Sequence, residues 1–380
     1  MTSAIIRTSD RSQFRRCRQK WDFTSKIRQD WEYVPGVEPL DFGIGIHAGA
    51  DTYYKPETWR GTAAQRRVVE YESTLSFLTH MHDWRKRLKR SEQWESQKAR
   101  WEELVVLGLG MLEHYFKWAP KNDKFKPVKS EIEFEVPIPV PESLKKQVQS
   151  LQYFTISDKG NLLWKPDGSD EWPTIVIPVM YQGRIDLIVQ FVNGSYGILD
   201  HKTAAQFGQT EHLDLDTQTR SYAWALKKML GLDISTIIYS EWRKAIPHEP
   251  DVLKNGSLSK NKNQRTTVEM YRKAIEERGL DISDYVEFLS ALQANQTDYF
   301  RRTEVSYSEH ELAATEEAIC MEAIDMLGDP FIYPNPDRWN CNGCAFRTPC
   351  IMRQEGNDEQ WHLNNSSFYV KRSQLVEVSN

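Results

Sequence analysis

Two consecutive segments near the middle of the chain carry the hydrophobic and polar pattern of a β-hairpin. Residues 184–192 alternate, with Asp186 and Gln190 in one phase and apolar side chains in the other. A period of two predicts a half-buried strand. Residues 196–203 form a second strand-like run, and the Asn193-Gly194 pair between the two runs predicts a tight turn. The pattern therefore predicts two neighbouring antiparallel strands.

The length of that turn decides whether the charged side chains of the hairpin meet. Asp200 and Lys202 share one face of the second strand, and the His201 side chain points the other way, because strand side chains alternate. A two-residue turn would set Asp186 opposite His201 and separate the two aspartates. A three-residue loop, Asn193 to Ser195, sets Asp186 across from Lys202 and diagonal to Asp200. We expect the three-residue loop.

Two carboxylates held this close repel each other, and a divalent cation between them relieves the repulsion. Mg²⁺ or Mn²⁺ suits hard oxygen ligands, lowers the pKa of a bound water and orients that water toward a phosphorus atom. Lys202 would then position the water or neutralise charge on the phosphate. The hairpin thus predicts a metal-dependent phosphodiesterase site, and the alternative is a surface hairpin with solvated charges.

Gly183-Arg-Ile-Asp186 and Leu199-Asp-His-Lys-Thr203 together resemble the motifs of the RecB family of PD-(D/E)XK nucleases. The resemblance implies an α/β fold with a restriction-endonuclease-like core, in which helices flank a mixed central sheet. It implies a metal-dependent DNA exonuclease, most often of 5′-to-3′ polarity. It also implies that the two aspartates and the lysine are catalytic, and that the aspartates and the backbone carbonyl of His201 bind the metal.

A further family motif is matched downstream, in a helix predicted from about Asp216 to Leu230. Gln218 and Tyr222 lie four residues apart and therefore share one face of that helix. They match the Gln-x3-Tyr motif of the family. The resemblance implies that these two side chains contact DNA or steady the catalytic site.

Two upstream matches complete the resemblance. Gly43-x3-His47-x3-Asp51 is similar to the family's Gly-x3-His-x2-Leu-Glu motif, with Ala50 and Asp51 in place of Leu and Glu. The resemblance implies that His47 is a metal ligand. Glu131, on a strand predicted from Glu131 to Ile138, matches a family glutamate near the site. Glu133 and Glu135 on the same strand leave its register open.

The cysteines form the second strong signal. Cys341, Cys344 and Cys350 cluster near the C-terminus, while Cys17 stands alone near the N-terminus. Five cysteines in 380 residues, with no secretory segment, argue against a disulfide framework. The one-plus-three arrangement resembles the iron–sulfur staple of RecB-like nucleases, including the CRISPR-associated exonucleases. It implies a [4Fe-4S] cluster joining the N- and C-terminal segments, with Zn²⁺ as the alternative because thiolates accept both metals. Cys320 is predicted to be a buried small hydrophobe.

Charge and hydropathy narrow the choice of partners. The net charge is only −5, so DNA binding has to come from local basic patches, such as residues 85–90 and the arginines around Cys17. The longest apolar run, Leu104 to Leu112, has nine residues and is too short to span a membrane. We therefore expect a cytoplasmic protein that binds single-stranded DNA or duplex ends and no membrane. A homo-oligomer, or a partner protein from a recombination or CRISPR system, stays open.

We expect one nuclease domain over residues 1–380, because a cluster made from both chain ends closes the chain into one unit. We expect an N-terminal segment with the first cysteine and the His47 motif over residues 1–60, followed by a helical cap over residues 61–127. A catalytic sheet core with the Gln/Tyr helix follows over residues 128–245, and C-terminal helices with the cysteine cluster occupy residues 246–380. The rival functions are a non-catalytic nucleic-acid-binding module and a zinc-stapled endonuclease. Recombination, repair and CRISPR-type processing are all compatible pathways.

Overall fold

The computed structural model describes residues 3–59, 61–168, 175–294 and 299–373. The strands of this part of the chain are β1 Ala4–Arg7, β2 Trp31–Tyr33, β3 Phe125–Pro137, β4 Phe154–Ile156, β5 Leu162–Trp164, β6 Ile177–Phe191, β7 Tyr196–Ala204, β8 Ile234–Arg243, β9 Phe300–Ser306 and β10 Tyr369–Lys371. The helices are α1 Thr8–Arg16, α2 Arg18–Thr24, α3 Glu38–Tyr53, α4 Ala63–Arg90, α5 Trp94–Asn122, α6 Lys145–Gln149, α7 Thr217–Leu230, α8 Val268–Glu277, α9 Val286–Ala294, α10 Glu309–Leu327, α11 Arg338–Cys341, α12 Arg347–Gln354 and α13 Glu359–Asn365.

Within the described residues, eight strands form one mixed sheet with β6 at its centre. The path runs β4-β5-β6-β7-β8-β9, and β1 and β3 also pair with β6. β7 runs parallel to β8, whereas β6 is antiparallel to both β3 and β7. One apolar core lies between the sheet and helices that include α1, α7 and α10, and a second lies between the sheet and α3, α4 and α5. The expected α/β class with a mixed sheet flanked by helices is confirmed.

The strands beside β6 leave part of one edge open. β3 pairs with one edge of β6 along most of its length. On the other edge, β1 pairs with Val179–Gln182 and β7 pairs with Leu187–Gln190. Between these two stretches β7 separates from β6 but stays paired with β8 as far as Ala204. The divergence opens a notch in the sheet beside Gly183–Asp186.

The turn of the β6–β7 hairpin has three residues, as expected, but it begins one residue earlier than predicted. Phe191 pairs with Ser195, so the loop consists of residues 192–194. Gly194 has a φ of +87°, a left-handed conformation that glycine adopts without strain, and it closes the loop. The register is therefore shifted by two residues, which preserves the faces. Continued from Leu187 and Leu199, it sets Asp186 opposite Asp200 instead of Lys202.

The helical cap consists of two long antiparallel helices, α4 and α5, packed against α3. The apolar run Leu104–Leu112 lies in α5 and contributes buried side chains to the cap core. Gly108 allows the close approach of the two helices, since a Cβ on it would lie 2.1 Å from the Phe77 ring. The sheet resumes at Phe125, three residues before the predicted boundary at Val128.

The two ends of the described chain lie together. β2 and β10 form a separate two-stranded antiparallel sheet. Phe23 stacks on Phe346 with ring centroids 5.5 Å apart, and Arg353 lies 3.3 Å from Asp22. Neither β2 nor β10 was predicted from the sequence, since each has only three residues. In the described parts of the chain no helix is both long enough and apolar enough to cross a membrane.

Candidate active site

Helix α3 carries His47 to the notch in the sheet. Gly43 lies four residues before His47 on the same face of α3 and faces β7, where a Cβ would make an ordinary contact of 3.5 Å with Thr203 Oγ1. Gly45 and Gly49 face the cap helices, where a Cβ on either would lie about 3 Å from Phe77 or Leu112. Small residues on both sides thus let α3 fit between the cap and the sheet, with His47 facing the strands.

Asp186 lies where β7 leaves β6. Its Oδ2 accepts a hydrogen bond of 2.8 Å from the backbone N–H of His201 and lies 3.3 Å from His47 Nδ1. Burial by itself raises the pKa of Asp186, but the charge and hydrogen bond of His47 and the N–H of His201 lower it well below its ordinary value. Burial lowers the pKa of His47, and the same contact with Asp186 more than offsets this and raises it. The Asp186 carboxylate is therefore ionised.

The negative charge of Asp200 is stabilised less than that of Asp186. It is 3% exposed, and its Oδ2 lies 2.7 Å from Lys202 Nζ. Burial raises the pKa of Asp200 to about 6; the pairing with Lys202 opposes this rise and the charge of Asp186 adds to it. Burial lowers the pKa of Lys202, but the Asp200 carboxylate outweighs burial and raises it. The site thus contains two close carboxylates and one ammonium, as the hairpin pattern predicted.

His201 contributes its backbone to the site and its side chain to the core. Its Nδ1 accepts a hydrogen bond of 3.2 Å from Trp242 Nε1, and its ring stacks on Tyr54. Burial lowers the pKa of the His201 imidazole well below its ordinary value, so the ring is neutral. In a hydrogen-bonded strand pair a residue directs its N–H and its C=O to the same neighbour. The His201 carbonyl therefore faces β6, on the side of Asp186.

The Gln218 and Tyr222 pair lies next to Lys202, as the resemblance implied. Helix α7 begins with Asp216 as its N-cap and ends at Gly231, in agreement with the predicted bounds. Gln218 Oε1 lies 3.4 Å from Lys202 Nζ, and Gln218 Nε2 donates a hydrogen bond of 2.8 Å to the Tyr222 hydroxyl. Burial raises the pKa of Tyr222, which is therefore a neutral hydroxyl. The amide of Gln218 links the lysine to a buried side chain.

Glu131 lies on β3 beside Asp186 in the register, since Ser130 pairs with Leu187 and Ile132 with Ile185. Its backbone has a left-handed φ of +49°, which is strained for a residue with a side chain. The Glu131 carboxylate forms an ion pair with Arg184. Glu131 is therefore adjacent to the strand that carries Asp186, and the contact that the structure gives it is with Arg184.

Residues far apart in sequence complete a groove at the open edge of β6. A cavity of about 310 Å³ is lined by Arg7, Thr8, Ser9, Glu133, Gln182, Gly183, Arg184, Gln218 and Tyr222. A Cβ on Gly183 would lie 2.4 Å from Thr8 Oγ1, so glycine is needed for the close approach of α1 to β6. The sequence signalled Gly183 through its motif, whereas it gave no signal for Thr8. A larger cavity of about 870 Å³ lies at the hairpin end of the sheet, and its lining among the described residues includes none of the predicted site residues.

The donor atoms at the notch fit a hard divalent cation by their chemistry. Carboxylate oxygens of Asp186 and Asp200 are such ligands. Burial raises the pKa of Asp200 and the negative charge of Asp186 adds to the rise, so a cation between the two groups would stabilise their ionised forms. As they stand, no three histidine, cysteine, aspartate or glutamate side chains in the described chain are grouped as a ready metal-binding cluster. A third ligand, such as His47 or the His201 carbonyl, would have to move closer.

The four predicted cluster cysteines lie together at the junction of the chain ends. Cys17, Cys341, Cys344 and Cys350 line one cavity of about 600 Å³. Burial raises the pKa of the Cys350 thiol, and the other three thiols add to this rise. Among the described residues these thiols likewise form no ready metal-binding group. Cys320 is fully buried in α10, as predicted for a small core residue.

A mixed α/β sheet that opens at two aspartates and a lysine is the arrangement of a phosphodiester-cleaving nuclease. The chain belongs to the PD-(D/E)XK nuclease superfamily, whose family profile matches residues 8–351. Members of this superfamily are nucleases that usually use Mg²⁺ or Mn²⁺, and membership suggests a DNA substrate. No curated protein gives a significant match to the chain.

Proposed function

We propose that this protein is a metal-dependent deoxyribonuclease of the RecB-like type and that it acts as an exonuclease. The observation that carries the proposal is the convergence of Asp186, Asp200 and Lys202 at the notch where β6 and β7 separate. A non-catalytic binding module would have no need to keep two buried carboxylates beside each other, because their repulsion destabilises the fold. An intact site therefore favours catalysis over binding alone.

Asp186 and Asp200 would hold the Mg²⁺ or Mn²⁺, with His47 and the His201 carbonyl as further ligands. A metal ion held there would supply an activated water and would neutralise charge on the phosphate. Lys202, kept charged by Asp200 and oriented by Gln218, stabilises the negative charge that grows on the phosphate oxygens. Tyr222 fixes the amide of Gln218 and so fixes the lysine indirectly. Glu131 steadies the strand beside Asp186.

Exonuclease action, 5′-to-3′ polarity and a role in recombination, repair or CRISPR-type processing are inferred from the resemblance to RecB-like enzymes. Two features support this closer kinship: the Gln218 and Tyr222 pair at the site, and the one-plus-three spacing of the cysteines. We also propose that the whole chain acts as one nuclease domain. The β2–β10 sheet, which joins the two ends, supports this.

We further propose that Cys17, Cys341, Cys344 and Cys350 hold a [4Fe-4S] cluster, with one Zn²⁺ ion as the alternative occupant. The four thiols line one cavity, and thiolates are the usual ligands of iron–sulfur clusters. Zinc would make the protein the zinc-stapled endonuclease of the rival hypothesis. The four thiols come from segments near both ends of the chain, and this supports a structural role for the cluster.

The experiment that tests the nuclease proposal uses the purified full chain with end-labelled DNA. Single-stranded and duplex substrates are incubated with Mg²⁺, Mn²⁺ or EDTA, and the products are separated by length. We expect cleavage with either metal and none with EDTA, with short products released progressively from one labelled end. Internal cuts in a circular substrate would contradict exonuclease action, and no cleavage of any substrate would contradict the nuclease proposal itself.

A further inference from the structure

We propose that a surface leading from the catalytic notch along α1 to Trp339 binds a single strand of DNA, with Trp339 as a stacking platform for one unpaired base. This inference rests on the proposed nuclease function. It names the form of substrate and the path that the substrate takes. The surface is called the α1 path below and consists of Thr8, Ser12, Arg15, Arg16 and Trp339.

The first step is continuity between the catalytic site and α1. Gln218, which contacts Lys202, lines a second cavity of about 310 Å³ together with Thr8, Ser12 and Arg16. Thr8 and Gln218 also line the groove at Gly183. The two cavities therefore adjoin at Thr8 and Gln218, and together they are called the depression below. From Thr8 to Arg16 the axis of α1 covers about 12 Å, so the depression continues well beyond the notch.

The second step is the chemistry of that depression. Hydroxyl and guanidinium groups are the side chains that most often contact phosphate oxygens. Ser12 supplies an exposed hydroxyl one helical turn from Thr8, whose own hydroxyl is buried and donates to the Gln182 carbonyl. Arg15 donates a 2.6 Å hydrogen bond to Thr217 Oγ1 and also forms an ion pair with Glu322, so its charge is partly neutralised. Asp216 is the acidic residue among the lining residues, and its carboxylate is engaged by the Gln218 N–H and by the Tyr239 hydroxyl.

The third step is the unpaired positive charge at the far end of α1. Arg16 is exposed and holds the segment of α11 in place through hydrogen bonds to Asn340 Oδ1 and the Trp339 carbonyl, both 2.8 Å long. Within the described chain neither Arg16 nor Arg338 forms an ion pair with a carboxylate. In the other basic patch, residues 85–90, Arg85 packs on Trp94 and Arg87 pairs with the buried Asp41. Arg16 keeps its charge available to a phosphate backbone, and it lies beside the depression that leads from the site.

The fourth step is the exposed indole at the end of the path. Trp339 is 77% exposed, and the Arg338 guanidinium lies 5.5 Å from the centre of its ring. A large aromatic side chain beside free arginines is the usual stacking platform for single-stranded nucleic acid. A duplex offers no free base face at this position, because its bases stack on each other. The Trp339 side chain thus selects a single strand over a duplex.

The test measures DNA binding by fluorescence anisotropy in EDTA, where no cleavage occurs. The probes are labelled oligothymidylates about 4 and about 16 nucleotides long, lengths that span the usual site sizes of single-strand-binding proteins. We expect Trp339→Ala to weaken binding of the longer oligonucleotide about tenfold, the loss of one stacked base, and to leave the shorter one unchanged. Trp339→Phe should restore most of the affinity. Trp361→Ala is the matched control, since the Trp361 side chain is exposed too, at 63%, but lies on α13, outside the path.

A second measurement uses the unaltered protein, so that it does not depend on the folding of a variant. An oligonucleotide with one 5-bromodeoxyuridine per molecule is photocrosslinked in EDTA, and mass spectrometry locates the modified residue. We expect modification at Trp339 when the bromouridine lies several nucleotides from the end held at the notch. Crosslinks confined to other surfaces, or equal effects of Trp339→Ala and Trp361→Ala, would overturn the α1 path. Those outcomes leave the nuclease proposal standing if metal-dependent cleavage is observed, whereas absence of cleavage with intact binding removes the nuclease proposal alone.

Discussion

At the scale of single residues, the two aspartates at the notch differ in how their charge is compensated. Asp186 has two partners, His47 and the backbone N–H of His201, and its pKa is lowered. Asp200 is paired with Lys202 and its pKa is raised. Asp186 is therefore a preformed anionic anchor, while the full charge of Asp200 needs a further cation. This asymmetry predicts how the site responds to substitution and to pH.

Removing any one of the three charged groups should abolish catalysis without unfolding the protein. We expect Asp186→Asn, Asp200→Asn and Lys202→Ala each to lower the cleavage rate about a thousandfold or more, because several kcal/mol of transition-state stabilisation is lost. DNA binding in EDTA should be retained, since the α1 path is unchanged. The measurement is single-turnover cleavage of labelled DNA, with circular dichroism as the control for folding. An unaltered rate in any of the three variants would show that the chemistry lies elsewhere.

Metal affinity should depend on pH through Asp200. Protons and the metal ion compete for this carboxylate, whose pKa in the metal-free protein is about 6. Above pH 6 the group is ionised and adds no pH dependence; below it, affinity for Mg²⁺ or Mn²⁺ should fall by about tenfold per pH unit. Calorimetric titration with Mn²⁺ between pH 5 and pH 8 measures this. Asp200→Asn is the control: it should lose the step below pH 6 and keep only the dependence that protonation of His47, whose pKa is raised, adds. A wild-type affinity that stays constant over this range would exclude Asp200 as a ligand.

The sequence predicted correctly which face of the hairpin carries the two aspartates, but it did not predict the exact pairing register of the strands. Strand side chains repeat every two residues, so Asp186 and Asp200 share a face whether the loop begins at Val192 or at Asn193 with three residues. The predicted partner across from Asp186, Lys202, was wrong, because this pairing depends on which residues form the turn; the register instead continues to Asp200. Thr8 could not be predicted, since its neighbour Gln182 is 174 positions away and no local pattern reports such a contact.

At the scale of elements, one buried ion pair connects the helical cap to the sheet. Arg302 on β9 lies 2.8 Å from the fully buried carboxylate of Asp123, at the end of α5. It also donates hydrogen bonds to the hydroxyls of Tyr54 and Tyr115. β9 itself was not predicted, because a run containing two arginines and a glutamate reads as solvent-exposed. Arg302 is buried there only because Asp123, distant in sequence, neutralises it.

Breaking this pair should destabilise the protein strongly. Arg302→Gln would leave the Asp123 carboxylate buried without its cation, and we expect the free energy of unfolding to fall by about 3 to 5 kcal/mol. The matched control is Lys117→Gln on α5, whose partner Glu113 is one turn away and exposed, where the expected loss is at most about 0.5 kcal/mol. Urea unfolding followed by circular dichroism gives both values. Equal losses in the two variants would mean that the cap and the sheet are held together by other contacts.

At the scale of the whole molecule, the chain ends are joined in two ways. The β2–β10 sheet and the stacking of Phe23 on Phe346 join them without a metal. The four cysteines lie beside this junction, since Phe346 packs with Cys344 and Cys350. The sequence predicted the junction through cysteine spacing but not through the small sheet, whose three-residue strands carry too short a pattern. The cluster would therefore reinforce a contact that the protein already makes.

Cys17→Ala should accordingly loosen the chain ends before it affects catalysis. If the four thiols hold a metal as proposed, loss of one ligand should release it, and because such a cluster would join residues more than three hundred positions apart, the melting temperature should fall. The cleavage rate per folded molecule on a short oligonucleotide, which does not reach Trp339, should stay close to that of the unaltered protein. Cys320→Ala is the matched control, because this buried thiol lies in α10 away from the junction and its loss should leave the metal content unchanged.

Elemental analysis of anaerobically purified protein identifies the occupant: about four irons per chain, with a brown colour and broad absorption roughly near 400 nm, supports the cluster. About one zinc per chain supports the alternative. Four free thiols with neither metal would refute both, and would leave the β2–β10 sheet as the structure that holds the ends of the nuclease together.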